Sequence, residues 1–164
     1  MLVFLDNVLE EVLANNKSPL ETLSVKGGAS FIRAMQTNRT VRSLTLTGPI
    51  CCGEGVQLLA EALAVNRSLE SLRFNECDFQ VAEWRALGEG LKIGGVNEVY
   101  IWYCFSPMNN DYARALAEGL RGARSLRQLM LHKCGVYDHR DGDIIRAALL
   151  ADGGHGCLLI SNCQ

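Results

Sequence analysis

The stretch Leu69-Glu-Ser-Leu72-Arg-Phe74-Asn-Glu-Cys77 decides the fold, because its pattern L-x-x-L-x-L-x-x-C returns along the whole chain. It recurs as Val96-Asn-Glu-Val99-Tyr-Ile101-Trp-Tyr-Cys104 and as Leu126-Arg-Gln-Leu129-Met-Leu131-His-Lys-Cys134. Two earlier copies are Leu20-Glu-Thr-Leu23-Ser-Val25-Lys-Gly-Gly28 and Val41-Arg-Ser-Leu44-Thr-Leu46-Thr-Gly-Pro49. The last copy, His155-Gly-Cys-Leu158-Leu-Ile160-Ser-Asn-Cys163, lacks the first apolar position. Copies begin at residues 20, 41, 69, 96, 126 and 155, with spacings of 21, 28, 27, 30 and 29 residues. Self-similarity at such a period is the signature of a stacked-repeat architecture.

A second phrase lies between these segments. It reads Leu59-Ala-Glu-Ala-Leu63, Leu87-Gly-Glu-Gly-Leu91 and Leu116-Ala-Glu-Gly-Leu120, with weaker forms at Phe31–Met35, Ile145–Leu149 and Leu9–Leu13. Apolar residues four apart with small residues between them describe one face of a helix. The L-x-L segments alternate in and out, as a half-buried strand does. Each unit is therefore a strand, a turn and a helix. None can bury its own apolar stripe, so the units must stack into a continuous core.

The residues Gly55-Val-Gln-Leu-Leu-Ala-Glu-Ala-Leu-Ala-Val-Asn66-Arg-Ser-Leu69-Glu-Ser-Leu72 carry a family resemblance. With the L-x-x-L-x-L-x-x-C segments and their period, they resemble the ribonuclease-inhibitor type of leucine-rich repeat, found also in NOD-like receptor repeat domains and Ran GTPase-activating proteins. The resemblance implies an α/β leucine-rich-repeat solenoid, a horseshoe of about six strand–helix units with a parallel concave sheet and convex helices. Residues 1–164 are read as a single such domain, either a fragment or a subunit with incompletely capped ends. The first spacing, 21, requires an abbreviated turn and helix, which Gly27-Gly28 would permit. The unit beginning at Val96 is two residues longer than a 28-residue period, and the extra length is assigned to a loop at Ser106-Pro-Met-Asn-Asn-Asp111. The chain begins on a helix and ends on a strand, whose exposed edge invites end-on contact with another subunit.

Composition narrows the function classes. The 164 residues are 48% hydrophobic and 21% charged, with a net charge of −2, so neither nucleic acid nor an anionic membrane is expected as an electrostatic partner. No run approaches the length of about 18 apolar residues needed to span a bilayer. The opening Met1-Leu2-Val3-Phe4-Leu5-Asp6 has no basic n-region. Seven cysteines is an odd count that cannot close a disulfide framework, which points to the cytosol or nucleus, with the cytoplasm preferred. The sequons Asn38-Arg-Thr40 and Asn66-Arg-Ser68 are then without consequence.

Cys77, Cys104, Cys134 and Cys163 hold one repeat position just after the strand, where a small inward side chain suits the bend. They are read as structural, because paired zinc-ligand spacing is absent. Cys51 is read as core, Cys52 as outward-facing, and Cys157 as an outward strand residue. His155-Gly-Cys157 and His132-Lys-Cys134 lack an acidic orienting group, so no nucleophilic site is assigned. Asp138, Asp141 and Asp143 lack the spacing of a calcium loop and are read as a solvated loop with a helix N-cap. Trp84, on a convex helix, is expected to pack between helices. No cofactor, metal or catalytic residue is expected.

Residues between the apolar strand positions should project from the sheet. The early strands offer Thr22, Ser24, Lys26, Ser43, Thr45 and Thr47, and the third offers Ser71, Arg73 and Asn75. The fourth offers Glu98, Tyr100 and Trp102, the fifth Gln128, Met130 and His132, and the sixth Cys157, Leu159 and Ser161. Arg73, Tyr100, Trp102, Met130 and His132 are the candidate partner-binding residues, with Tyr103 and Phe105 just past the strand. Aromatics with arginine are the composition of interface hot spots. The bland alternative is that the rings only shield the sheet or pack on the 106–111 loop. The preferred function is a non-catalytic module that binds a protein through the concave face. A structural subunit of a large assembly is the first alternative. A GTPase-activating regulator is the second, implied by the family resemblance alone. Ribonuclease inhibition is disfavoured, since it needs an acidic horseshoe facing a basic enzyme.

Overall fold

A computed structural model describes residues 2–16, 19–26, 30–48, 54–105, 107–136 and 138–161. Helices and strands alternate in chain order: α1 (Leu2–Ala14), β1 (Thr22–Lys26), α2 (Ser30–Ala34), β2 (Ser43–Thr47), α3 (Glu54–Val65), β3 (Ser71–Asn75), α4 (Val81–Ile93), β4 (Glu98–Trp102), α5 (Asn110–Leu120), β5 (Gln128–His132), α6 (His139–Leu150) and β6 (Cys157–Ser161). The six strands form one parallel sheet in sequence order, the leucine-rich-repeat solenoid expected from the repeat. Each strand pairs with the next at equivalent repeat positions: Leu44 lies opposite Leu72, Leu72 opposite Val99, Val99 opposite Leu129, and Leu129 opposite Leu158. A single apolar cluster runs through the stack, from Leu13 to Leu158.

The in-and-out alternation of the strands holds across the middle units, where Leu44, Leu46, Leu72, Phe74, Val99, Ile101, Leu129 and Leu131 are buried. It weakens at the ends. Val25 and Ile160 are only partly buried, and Leu20, assigned to the core by its repeat position, is exposed. Among the described residues nothing packs on the outer flank of β1 or β6, and the same residue types are less sheltered there. The short first spacing appears as a five-residue α2, against 11 to 13 residues in α3 through α6. Gly27 and Gly28, assigned to the tight passage, lie outside the described residues, as do Cys51, Cys52 and Cys163.

The recurring helical phrase has a packing explanation. Its two leucines enter the core and its central glutamate stays in water, as Leu87, Leu91 and Glu89 do. The small residues on either side of the glutamate face the neighbouring helices. A Cβ added at Gly90 would stand 2.8 Å from Ala60 Cα on α3, and one at Gly119 would stand 2.6 Å from Arg85 O on α4. In the phrases of α4 and α5 the fourth position therefore seats against the second position of the preceding unit, with backbones in contact. Trp84 sits inside this layer, buried and edge-on to Phe79, itself edge-on to Phe74. The indole thus bridges the helix layer and the sheet.

Two buried asparagines close the helix-to-strand turns. Asn66 Nδ2 donates to Met35 O at 2.6 Å and Asn38 O at 2.9 Å, while its Oδ1 accepts from Ser68 N and Leu69 N. Asn38 repeats the arrangement, donating to Leu13 O at 2.8 Å and accepting from Thr40 N and Val41 N. Each amide satisfies backbone groups that no ladder reaches, in its own turn and the preceding one. Both sequon asparagines are thus consumed by the fold.

Two loop assignments change. Helix α5 begins at Asn110, so Asn110 and Asp111 are helical and Asn109 is the N-cap, its side chain accepting from Tyr112 N at 3.0 Å. The loop is correspondingly shorter than residues 106–111, Met108 within it is buried, and Ser106 lies outside the described residues. In the second, Asp138 does cap a helix, accepting from Arg140 N, but Asp141 is not solvated. It is buried in the first turn of α6 and accepts from Asn110 Nδ2 at 3.2 Å.

Replacing glycine by alanine inside a helix ordinarily gains up to about 1 kcal/mol. At Gly119 the sign should reverse, because the new methyl meets backbone atoms that cannot swing aside. Gly119→Ala is expected to cost about 1–3 kcal/mol by overpacking, read as a lower urea midpoint. A midpoint equal to or above the parent would contradict this packing.

Candidate functional site

The zero-offset register sorts the outward side chains into rows across the sheet. One row reads Ser24, Thr45, Arg73, Tyr100, Met130, Leu159, and the next reads Lys26, Thr47, Asn75, Trp102, His132, Ser161. All five candidate partner-binding residues fall in these two adjacent rows, on β3, β4 and β5. Rings sit beside hydroxyls because β4 carries the large side chains and β2 the small ones. The step between them forms a groove of about 380 Å³ lined by Thr45, Arg73, Asn75, Tyr100 and Trp102.

Arg73 and Tyr100 are tied together. The guanidinium carbon lies 5.0 Å from the Tyr100 ring centroid, and the Tyr100 hydroxyl donates to Glu98 Oε2 at 3.0 Å. Partial burial, the hydrogen bond to the Glu98 carboxylate and the charge of that carboxylate raise the Tyr100 pKa above its ordinary 10.0, while Arg73 pulls it the other way. At neutral pH the phenol is therefore a neutral donor that holds Glu98. Trp102 and His132 stand with ring centroids 5.3 Å apart. Met130 lies between Tyr100 and Leu159 in its row, half-buried, and shares no wall of the groove.

The strand ends extend the patch. Gly48, Glu76, Tyr103 and Lys133 each follow a strand directly and each has a positive φ, of 83°, 58°, 58° and 51°. Their amides continue the ladder by one rung, as in Tyr103 N to His132 O at 3.0 Å. A left-handed backbone is cheap for glycine and costs other residues about 1–2 kcal/mol. Tyr103 occupies it nevertheless, with its ring edge-on to His132 at 5.8 Å and Lys133 Nζ 5.0 Å above it. Trp102, Tyr103 and Phe105 are 42%, 45% and 70% exposed, so they are not packed away beneath a loop.

Reading the repeat missed Glu98 as the partner of Tyr100, Thr45 and Asn75 as groove wall, and Lys133 as the cation over Tyr103. Lys133 was within reach of the pattern, because it holds the repeat position of Tyr103. The other roles depend on side-chain conformation, which no spacing encodes.

Of the described cysteines in the repeat row, Cys77 and Cys134 are buried and Cys104 is partly buried. Cys134 Sγ donates to Ile101 O at 3.2 Å, satisfying a carbonyl at the bend. The hydrogen bond between the Cys104 and Cys134 thiols, with burial, pushes the Cys104 pKa far above the ordinary thiol range. A thiol so held is a packing group and a poor nucleophile. Cys157 is exposed, as its strand position requires. Among the described residues no three His, Cys, Asp or Glu side chains gather in a metal-binding arrangement, and no helix is long and apolar enough to cross a membrane.

The Tyr100 environment gives opposite shifts on two substitutions. Arg73→Gln removes the lowering influence and should move the Tyr100 step of an ultraviolet-monitored alkaline titration to higher pH, and Glu98→Gln should move it lower. A neutral phenol favoured by the fold supplies stability that is complete below the unfolded pKa and is lost as pH rises through the folded one. Movement of both variants in the same direction would contradict the assigned contacts.

Among known proteins, no family model matches this chain, and neither does any curated protein. Among solved structures it is similar to the tropomodulin C-terminal domain of Caenorhabditis elegans, with a TM-score of 0.70 and 11% identity over 88% of this chain and 90% of that one. A likeness at so low an identity is one of fold: the chain has a leucine-rich-repeat type of architecture, six strand–helix units sharing one parallel sheet.

Proposed function

We propose that residues 1–164 act as one leucine-rich-repeat domain of the ribonuclease-inhibitor type, a non-catalytic module that binds a protein partner through the concave sheet. The observation that carries this reading is the exposure of Trp102, Tyr103 and Phe105 beside an arginine pinned to a ring. Large rigid side chains held in place before contact lose little entropy on binding, which is why such residues dominate interface energetics. Arg73, Tyr100, Trp102, Met130 and His132 form the centre of the proposed surface. A cytoplasmic setting is part of the proposal. The buried amides of Asn38 and Asn66 support it, because a glycan on either would prevent the turns from closing.

A second reading, a structural subunit held end-on in a larger assembly, is favoured by β6. That strand has a neighbour on one side only among the described residues, and it presents Leu159 at 40% exposure beside Cys157. Unpaired strand edges are templates for association.

Two measurements separate the readings. Cross-linking and pull-down from extract of the source cells should recover a partner with the parent chain. Trp102→Ala with Tyr100→Ala should weaken recovery, each truncation costing about 2 kcal/mol or more, roughly 30-fold. Unchanged recovery would sink the concave site. Sedimentation velocity across a concentration series tests the end-on reading: a monomer throughout argues against it, and concentration-dependent dimers support it.

A further inference from the structure

The groove on β2, β3 and β4 has a specific electrostatic character. Among the described residues Arg73 is exposed and makes no ion pair, and its guanidinium lies against the Tyr100 ring. Glu98, two strand positions from Tyr100, is engaged by the Tyr100 hydroxyl. The guanidinium is thus oriented by the face of Tyr100 while its donors stay open to solvent. A planar fork held in this way is preorganised for a carboxylate, which accepts two parallel hydrogen bonds in the same plane. On the groove wall the Asn75 amide donates to Thr47 Oγ1 at 3.4 Å, which leaves its second N–H, with the Thr45 hydroxyl, as a further donor.

The same surroundings disfavour a dianion. A single arginine serves the groove, Glu98 stands on the adjacent strand, and Glu76 is exposed just past Asn75. Phosphate recognition ordinarily gathers several cations. The groove also has no end wall, since its lining comes only from the open faces of three strands, and their backbone N–H groups are spent in the sheet. It can receive a chain passing through it, but it offers no nest for a chain terminus.

Resting on the concave-face reading above, we propose that the groove recognises an extended segment of a protein partner that brings a single carboxylate, with an Asp or Glu side chain on Arg73 and an apolar side chain against Trp102. The spacing follows from sheet geometry. Arg73 and Trp102 sit on neighbouring strands two residues apart in register. With strands about 4.8 Å apart and a rise of about 3.3 Å per residue, the diagonal is about 8 Å. An extended peptide places residues i and i+2 on one face about 6.8 Å apart. The recognised pattern is therefore an acidic residue followed or preceded two positions away by an aromatic or aliphatic one.

The test is selection from a random decapeptide display library against the full chain, followed by affinity measurement with synthetic peptides. Selected sequences should share an Asp or Glu two positions from an apolar residue. Replacing that acid by its amide should weaken binding about tenfold, as should Arg73→Gln, and added salt should weaken only the parent interaction. Arg73→Glu should invert the preference, selecting Lys or Arg at that position. Arg73 is exposed, so these variants retain the fold, which circular dichroism checks directly. Peptides that need Trp102 but carry no conserved acid, or that bind Arg73→Gln equally well, would overturn the proposal while leaving the concave-face reading in place. Stronger binding of phosphoserine versions, or loss of binding on C-terminal amidation alone, would also overturn it. Failure to enrich any sequence, or enrichment indifferent to both Arg73 and Trp102, would count against both readings.

Discussion

In-register parallel pairing of six five-residue strands is the constraint on which the rest of the molecule depends. Because every strand meets its neighbour with equivalent residues opposed, whatever stands at one repeat position forms a continuous row. Leucines at two positions become the core, the described cysteines at a third pack at the bend, and the intervening positions become a surface. A slip of one residue in any strand would turn its apolar side chains to water and its polar ones into the core. Register is therefore enforced at every step by burial, and the helices need only keep the units from separating.

The helix layer is held by a different device. Strands stack about 4.8 Å apart, but helices with ordinary side chains need about 8–10 Å. The mismatch bends a solenoid. Small residues at the second and fourth phrase positions let Gly90 approach Ala60, and Gly119 approach Gly88, until backbones touch. Their presence reduces the mismatch in α3 through α5. The side of the stack that looks like mere helix former in the sequence thus tunes the openness of the opposite face.

How much of this could be read beforehand depends on whether a feature belongs to the repeat. The strands, their order, the buried rows and the abbreviated α2 all follow from phrase positions and spacings. What departs from the repeat was misplaced. Leu20 matches its pattern but sits beside the edge strand β1 and is exposed. Asp141 looks like one of several loop acids, yet it is drawn into α6 by the Asn110 amide, a contact between residues 31 positions apart. At the candidate site, the rows containing Arg73, Tyr100, Trp102, Met130 and His132 were legible from alternation alone. The orientation of Arg73 over Tyr100, and the capture of Glu98 by the Tyr100 hydroxyl, were not, since they depend on rotamers and not on spacing.

The left-handed residues that follow the strands carry one more implication. Gly48, Glu76, Tyr103 and Lys133 share a backbone conformation but have nothing chemically in common. Glu76, Tyr103 and Lys133 have no core to fill and no fold requirement to meet beyond tolerating a positive φ. The backbone in fact penalises everything there but glycine, so a large side chain persists only against a standing cost. That makes this row a part of the molecule where side-chain identity is set less by packing than by selection from outside. Relatives sharing this architecture but meeting other molecules would be expected to differ first along this line, while the rows beneath it stay leucine.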